Sequence, residues 1–353
     1  MSKPLIILGA GASYDMSPEC ENCRVTPLTK NLVDPEFIDE NMVSWFSGAG
    51  NLLSEVIPQV RNGNKSFEEI LTEIRDENYN SSIVCKKQFV ALEFYLQNLF
   101  KELSNPSYSR FKDKRSIRKQ IQEINNHKII LNCIEYYSDG KACFVSFNYD
   151  TFLEKSLDKK NMPKNMQGYT NKDIKIIKPH GSHDWIYLEK KDEYDEEMGI
   201  VSAYDKCIQY PDLLGNVQVN PQYRIYHTKE LEDNPHESEL YQLPALAIPL
   251  VGKDRYVIPE KHITVLEKEL NSVDRILIIG WRAKDPLLLE TMKKNLPEGG
   301  YKVVVVSKDL TEAEEISKEI STGLSIPESF IKSHGGGYSK FVSNRENLKE
   351  FFQ

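Results

Sequence analysis

Four short runs of this chain are apolar at every position: Leu5-Ile6-Ile7-Leu8, Ala142-Cys143-Phe144-Val145, Ile276-Leu277-Ile278-Ile279 and Val303-Val304-Val305-Val306. A fifth, Ile174-Lys175-Ile176-Ile177, is broken by one lysine. Runs of four to eight such residues fit strands buried on both faces, and strands of that kind belong to parallel sheets with helices on either side. The expected fold class is therefore α/β, a parallel sheet covered on both faces. In an open sheet of this type the ligand lies beyond the carboxyl ends of the strands. The residues just after each run therefore decide what the chain can do.

The first run enters Gly9-Ala10-Gly11-Ala12-Ser13, a turn whose backbone N–H groups suit a phosphate. Gly9 and Gly11 match the start of a dinucleotide fingerprint, but Tyr14 stands where a third glycine would be. An ordinary strand-to-helix turn needing small residues fits the same pattern. The second run enters Ser146-Phe147-Asn148-Tyr149-Asp150, and the run broken by lysine enters Lys178-Pro179-His180-Gly181-Ser182. An amide, a carboxylate and an imidazole at one sheet edge are tools for orienting a polar substrate and moving a proton. Each has a plainer use: Asn148 or Asp150 as caps of a helix starting near Thr151, and His180 as a turn residue. His183 and Asp184 read as loop residues, and His334-Gly335-Gly336-Gly337 as a flexible turn.

At 353 residues the chain has room for about two domains, or for one large domain with insertions. The Rossmann-like core is expected in 1–35, 138–188 and 243–353. Residues 36–137 form a helical insertion by their apolar spacing. Phe67, Ile70, Leu71 and Ile74 follow a Ser66/Glu69 capping box, and Phe89 to Leu103 continue as an apolar stripe. Ile117, Ile121, Ile124, Ile130 and Ile134 suggest a third helix, ended by Gly140. Residues 189–242 form an irregular insertion whose charged start, Glu189 to Glu197, reads as a solvated face. Asp285 and Pro286 open a further helix as cap and first residue.

A net charge of −8 argues against an electrostatic grip on nucleic acid. No apolar run reaches the length of a membrane span, and the chain enters a strand after Met1-Ser2-Lys3 with no secretory signal. Six cysteines in that context read as reduced, cytoplasmic thiols. Cys20 and Cys23 form one C-x-x-C without a second pair, and His127, His227, His236 and His262 show no ligand spacing, so no metal is expected.

Together the strand ends resemble the sirtuin superfamily, specifically its prokaryotic sirtuin-like branch of anti-phage defence. Gly9 to Ser13 match the family's first NAD-binding turn, and Pro27-Leu28-Thr29 with Leu32 is similar to the loop after it. Ser146 to Asp150 resemble the segment with the catalytic asparagine and the ribose-binding aspartate. His180-Gly181-Ser182 matches the catalytic histidine motif, continued by Trp185. Ile279-Gly280-Trp281, followed by Asp285, resembles a later nucleotide-contact strand, and Ser307 sits where the last strand meets adenosine.

The resemblance implies NAD+ as substrate and no metal. Asn148 and His180 would be catalytic. Gly9, Ala10, Gly11, Ala12, Ser13, Thr29, Ser146, Asp150, Gly280, Trp281 and Ser307 would bind the dinucleotide. Only Cys207 follows His180, so the four-cysteine zinc module of lysine-deacylating sirtuins is absent, and Leu246 to Leu250 do not form their acyl-lysine segment. The expected activity is NAD+ glycohydrolysis to nicotinamide and ADP-ribose, in a gated effector of anti-phage defence. A homo-oligomer or a separately encoded ATPase would supply the gate, with nucleic acid involved only indirectly. Deacylation, ADP-ribosyl transfer and non-catalytic binding of NAD or ADP-ribose remain the alternatives.

Overall fold

The computed structural model describes residues 3–16, 26–28, 32–34, 38, 40–63, 65–104, 125–192, 195, 197–217, 219, 221–226, 240–251 and 256–353. Thr29, Cys20, Cys23, His227, His236 and the first half of the third expected helix lie outside these residues. The chain divides into two units, one of 1–28, 103–179 and 252–353, the other of 29–102 and 180–251.

The first unit is built on six parallel strands: β1 (Pro4–Leu8), β2 (Ala142–Ser146), β3 (Ile174–Ile177), β7 (Arg275–Ile279), β8 (Lys302–Val306) and β9 (Ile331–His334). Their spatial order is β3-β2-β1-β7-β8-β9. Counted along this sheet alone, that is 3-2-1-4-5-6, the doubly wound order of dinucleotide-binding sheets. The apolar runs occupy its centre because strands with helices on both sides have no polar face. Every residue of β1 and β2 is buried. β1 and β7 are in register from Pro4↔Arg275 to Leu8↔Ile279, so their carboxyl ends finish together. The fold is α/β and Rossmann-like, as the sequence leads one to expect.

Helices with apolar faces cover this sheet. Asp285 caps Pro286–Asn295 by accepting the Leu288 N–H at 2.8 Å, with proline at the first turn where its missing N–H costs nothing. Asn125 caps Asn126–Tyr137, which stops before the left-handed Asp139 and Gly140.

The second unit holds the helices Ser47–Arg61, Phe67–Asn78 and Ile83–Leu103 together with a three-stranded antiparallel sheet, β5-β4-β6. Its strands are β4 (Gly181–Lys190), β5 (Tyr223–Ile225) and β6 (Leu240–Leu246). The capping box of Ser66 and Glu69 is formed as its sequence implies. Phe46 and Phe94 pack edge-on against Tyr204, with ring centroids 5.1 and 5.4 Å away, so the helical segment and the segment after His180 share one core. In this division 29–102 and 180–251 fall in one unit, and Asn126–Tyr137 falls with the large sheet.

Two local readings are corrected. His183 and Asp184 are residues of β4 rather than of a loop, and His183 is buried. Asp195, in the charged run, is buried in an ion pair with Lys206 instead of lying on a solvated face. The pairing with Lys206 removes the solvation argument for that position.

Candidate active site

The strand order reverses between β1 and β7, and a crevice at such a switch point is where open α/β sheets take their ligands. Gly9 and Gly280 are the residues that leave those two strands. They touch. The Gly9 N–H donates to the Ile279 carbonyl at 2.9 Å, and a Cβ on Gly9 would fall 2.3 Å from the Gly280 oxygen. Gly280 has φ +61°, a left-handed conformation open to glycine. Three residues later the loop carries Ala283 at φ +57°, a strained position for a residue with a Cβ.

The turn after β1 continues as a five-residue helix, Ala10–Tyr14. The Ala12 N–H donates to the Gly9 carbonyl at 2.9 Å, and the Gly11 N–H donates to the Gly280 carbonyl at a longer 3.3 Å. Two of the amides expected to face phosphate are thus already engaged, one within the turn and one with the residue that leaves β7. The glycines are needed here first for packing of one strand end against the other.

Ser13 is the hub of the polar residues. Its hydroxyl oxygen accepts from Asn148 Nδ2 at 2.8 Å, and the same side chain helps to hold down the pKa of Asp150. Asn148 thus presents its NH2 to Ser13. Asn148 Oδ1 is then turned away, and no donor to it is found among the described residues. Asn148 and Asp150 are both buried, as is Ser146, whose hydroxyl accepts the Asn148 N–H at 3.3 Å.

Asp150 also accepts the Phe152 N–H at 3.1 Å from one residue before the helix cap, which is Thr151 and makes no side-chain cap bond. Burial pushes its carboxyl above the usual carboxylate range, against the opposing pull of Lys178, Ser13 and the Phe152 amide. Lys178 is fully buried. Its Nζ donates to the Asp150 carbonyl at 2.6 Å and to Glu154 Oε1 at 2.9 Å, and Tyr169 Oη donates to the same Glu154 oxygen at 3.2 Å.

Phe147 and Trp281 follow β2 and β7, the two neighbours of β1, and their rings stack 5.3 Å apart at 4°. Ser307, after β8, gives its hydroxyl proton to Glu312, and its N–H donates to the His334 carbonyl at 3.0 Å. His180 is the first residue of the second unit, directly after Pro179. Its carbonyl accepts the Ala247 N–H at 2.9 Å, and Gly181, at φ +73°, passes so close to Ala245 that a Cβ would meet its oxygen at 2.0 Å.

The first unit thus brings together Gly9, Gly11 and Gly280, and separately Ser13, Ser146, Asn148 and Asp150. Ser307 is engaged with Glu312 one strand farther out. The structure adds Lys178, Glu154, Tyr169 and Phe147, none of which the motifs single out as site residues. The sequence carries a signal for one of them: Lys178 extends the Ile174–Ile177 strand by a charged residue just before His180. Among the described residues no group of three or more His, Cys, Asp or Glu side chains is arranged to hold a metal ion, and no helix is long and apolar enough to cross a membrane.

No protein-family model and no curated protein matches the chain. Among solved structures it is similar to a Sir2 homolog in complex with NAD, at 12% identity and TM-score 0.39 over 99% of this chain and 90% of the other. A Sir2 structure with a p53 peptide and NAD+ gives 11% and 0.40 over 99% and 92%. A Sir2 enzyme bound to a propionylated peptide gives 11% and 0.39 over the same shares. The strand order, rather than these likenesses, defines the fold.

Proposed function

We propose that the chain is an NAD+ glycohydrolase, releasing nicotinamide and ADP-ribose. The observation that carries this reading is the placement of the Ser13–Asn148–Asp150 network beside the switch point of a 3-2-1-4-5-6 sheet. The order of the motifs along the chain supports it.

Nicotinamide in NAD+ is a cationic pyridinium and departs as a neutral base. Its bond to ribose therefore breaks without a general acid, unlike a glycoside that needs two carboxylates. What remains is to stabilise an oxocarbenium-like ribose and to present water to its C1 carbon. Asn148 Oδ1, fixed by Ser13, would accept a hydrogen bond from that water or from a ribose hydroxyl. The Asp150 carboxylate would counter the developing positive charge. His180, an imidazole able to accept a proton, would take the water's proton as the new C–O bond forms. The pyrophosphate would lie on the Gly9–Ser13 turn, replacing the long Gly11 contact with Gly280. Trp281 and Ser307 would border the rest of the dinucleotide, and Thr29 would join from the loop that follows the turn.

The absence of four cysteines after His180 favours water over acyl-lysine as acceptor. An enzyme that empties the NAD+ pool must be restrained. We assign that restraint to a homo-oligomer or a separately encoded ATPase partner, in a cytoplasmic anti-phage defence system. Incubation with NAD+, with and without an acetylated peptide, and chromatographic separation of the products tests the reading. Free ADP-ribose should form at a rate independent of the peptide. Peptide-dependent acetyl-ADP-ribose, or ADP-ribosylated protein, would replace hydrolysis by transfer, and binding without turnover would leave a regulatory module.

A further inference from the structure

We propose that Lys178 is a positioning residue that fixes the 147–151 loop on which Asn148 and Asp150 stand. This rests on the proposed role of those two residues and adds what holds them in place. A lysine with no exposed surface is costly unless its charge is compensated. Glu154, 7% exposed at its side chain, supplies the opposite charge, and Tyr169 donates a hydrogen bond to the same carboxylate. If charge balance were all, a buried pair of apolar residues would serve as well. The Lys178 ammonium has a further bond that an apolar residue cannot replace: it donates to the backbone carbonyl of Asp150 at 2.6 Å.

That carbonyl belongs to the turn between β2 and the helix Phe152–Ser156, where the chain leaves the sheet with few ladder bonds of its own. On its other side the same turn is tied by Ser13 through Asn148 and Asp150. The loop is therefore held from two directions, by the end of β1 through Ser13 and by the end of β3 through Lys178. Releasing one of them leaves the amide and the carboxylate attached to the protein but no longer at a fixed spacing. Catalytic geometry is sensitive to such loosening, since a misplacement of about 1 Å can cost about 10²-fold in rate.

The test separates positioning from stability. Lys178→Met alone leaves Glu154 buried without its counter-charge and should melt well below wild type. A triple variant, Lys178→Met with Glu154→Leu and Tyr169→Phe, removes the charges and both partners and leaves the Asp150 carbonyl without its donor. It should regain most of the melting temperature lost by the single change. Its kcat for NAD+ should nevertheless fall about 10–100-fold, with KM changed far less. Hydrogen exchange of the 147–151 amides should accelerate in the triple variant while the β1 and β7 amides keep their protection. A folded triple variant with wild-type turnover and wild-type exchange in 147–151 overturns the proposal, as does a triple variant that melts no higher than Lys178→Met. If the wild type consumes no NAD+, the proposed activity falls, and the exchange measurement alone then decides for or against the positioning role.

Discussion

Gly11 and Gly280 meet backbone to backbone where the sheet reverses its order: a Cβ on Gly11 would lie 2.8 Å from the Gly280 Cα, and one on Gly280 only 2.5 Å from the Gly11 Cα. Neither neighbour is the flexible tip of a side chain, so neither can swing aside. The glycines therefore let two strand ends approach before any ligand is considered. Gly11→Ala should destabilise the protein by about 1–3 kcal/mol, because the displaced atoms are main chain. Gly11→Val should do so more severely. Thermal melting checks this, and an unchanged melting temperature in Gly11→Ala would show that the turn has slack the packing does not suggest.

Asn148 and His180 offer the opposite case. Both leave strand ends as polar side chains, so truncation removes little apolar burial. Asn148→Ala should stay folded and lose roughly 0.5–1.5 kcal/mol for its bond to Ser13. His180→Ala keeps its backbone bond to Ala247 and should also stay folded. NAD+ turnover should fall by about 10²–10⁴-fold in each. Melting and NAD+ consumption on the same preparations check both, and wild-type turnover in either variant would remove that residue from the mechanism.

The strands that can be read from the sequence are those that nothing in their pattern obscures. β1, β7 and β8 are apolar throughout their buried length, β2 is so up to its last residue, Ser146, and one lysine in β3 is not enough to hide it. β9, Ile331-Lys332-Ser333-His334, lies at the sheet edge with no fully buried residue, and its composition does not distinguish it from a loop. β4 is hidden differently: His183 and Asp184 interrupt its apolar character, and its partners lie far along the chain, as in Trp185↔Ile225 of β5 and Lys190↔Leu240 of β6. At the candidate site the strand ends show which residues gather, through Gly9, Asn148 and Gly280. What orients them is not legible. Ser13 reads as one small residue in a turn, and the burial of Lys178 depends on Glu154 and Tyr169, which pack against it from elsewhere in the chain.

Asp150 should make the protein less stable at neutral pH than its amide would. Burial raises its carboxyl above the ordinary range, so the native state holds the proton to a higher pH than the unfolded state does. Stability therefore declines as pH rises from the ordinary carboxylate range to the raised value of Asp150, and is level above it. Asp150→Asn keeps an acceptor for the Phe152 N–H and cannot ionise. The variant should melt at or above wild type at pH 7, with the difference closing as the pH is lowered toward 4. Its turnover should be poor, since the countercharge is gone. A variant that melts lower at every pH would show the Lys178 and Ser13 contacts outweighing desolvation.

His127 gives the pH response the other sign. Its ring is buried, Nδ1 lies 3.2 Å from the Tyr338 hydroxyl, and burial pushes its pKa down to about 3. In the unfolded chain the same imidazole titrates at its ordinary value of 6.5. Between those values the unfolded state binds the proton and the native state refuses it, so stability is present above pH 6.5 and is lost as the pH falls toward 3. At pH 5 the loss from this residue is roughly 2 kcal/mol, following about 1.4 kcal/mol per unit of pKa difference. His262, lowered to about 4, adds a loss of the same sign. The comparison must therefore be made between proteins that differ only at 127. His127→Gln retains a partner for Tyr338 and does not titrate. Its melting temperature should fall less steeply than that of wild type between pH 7 and pH 5, even if it begins lower for want of a ring in the core. Parallel curves over that range would mean that His127 takes up its proton in the folded protein, and that its site admits water.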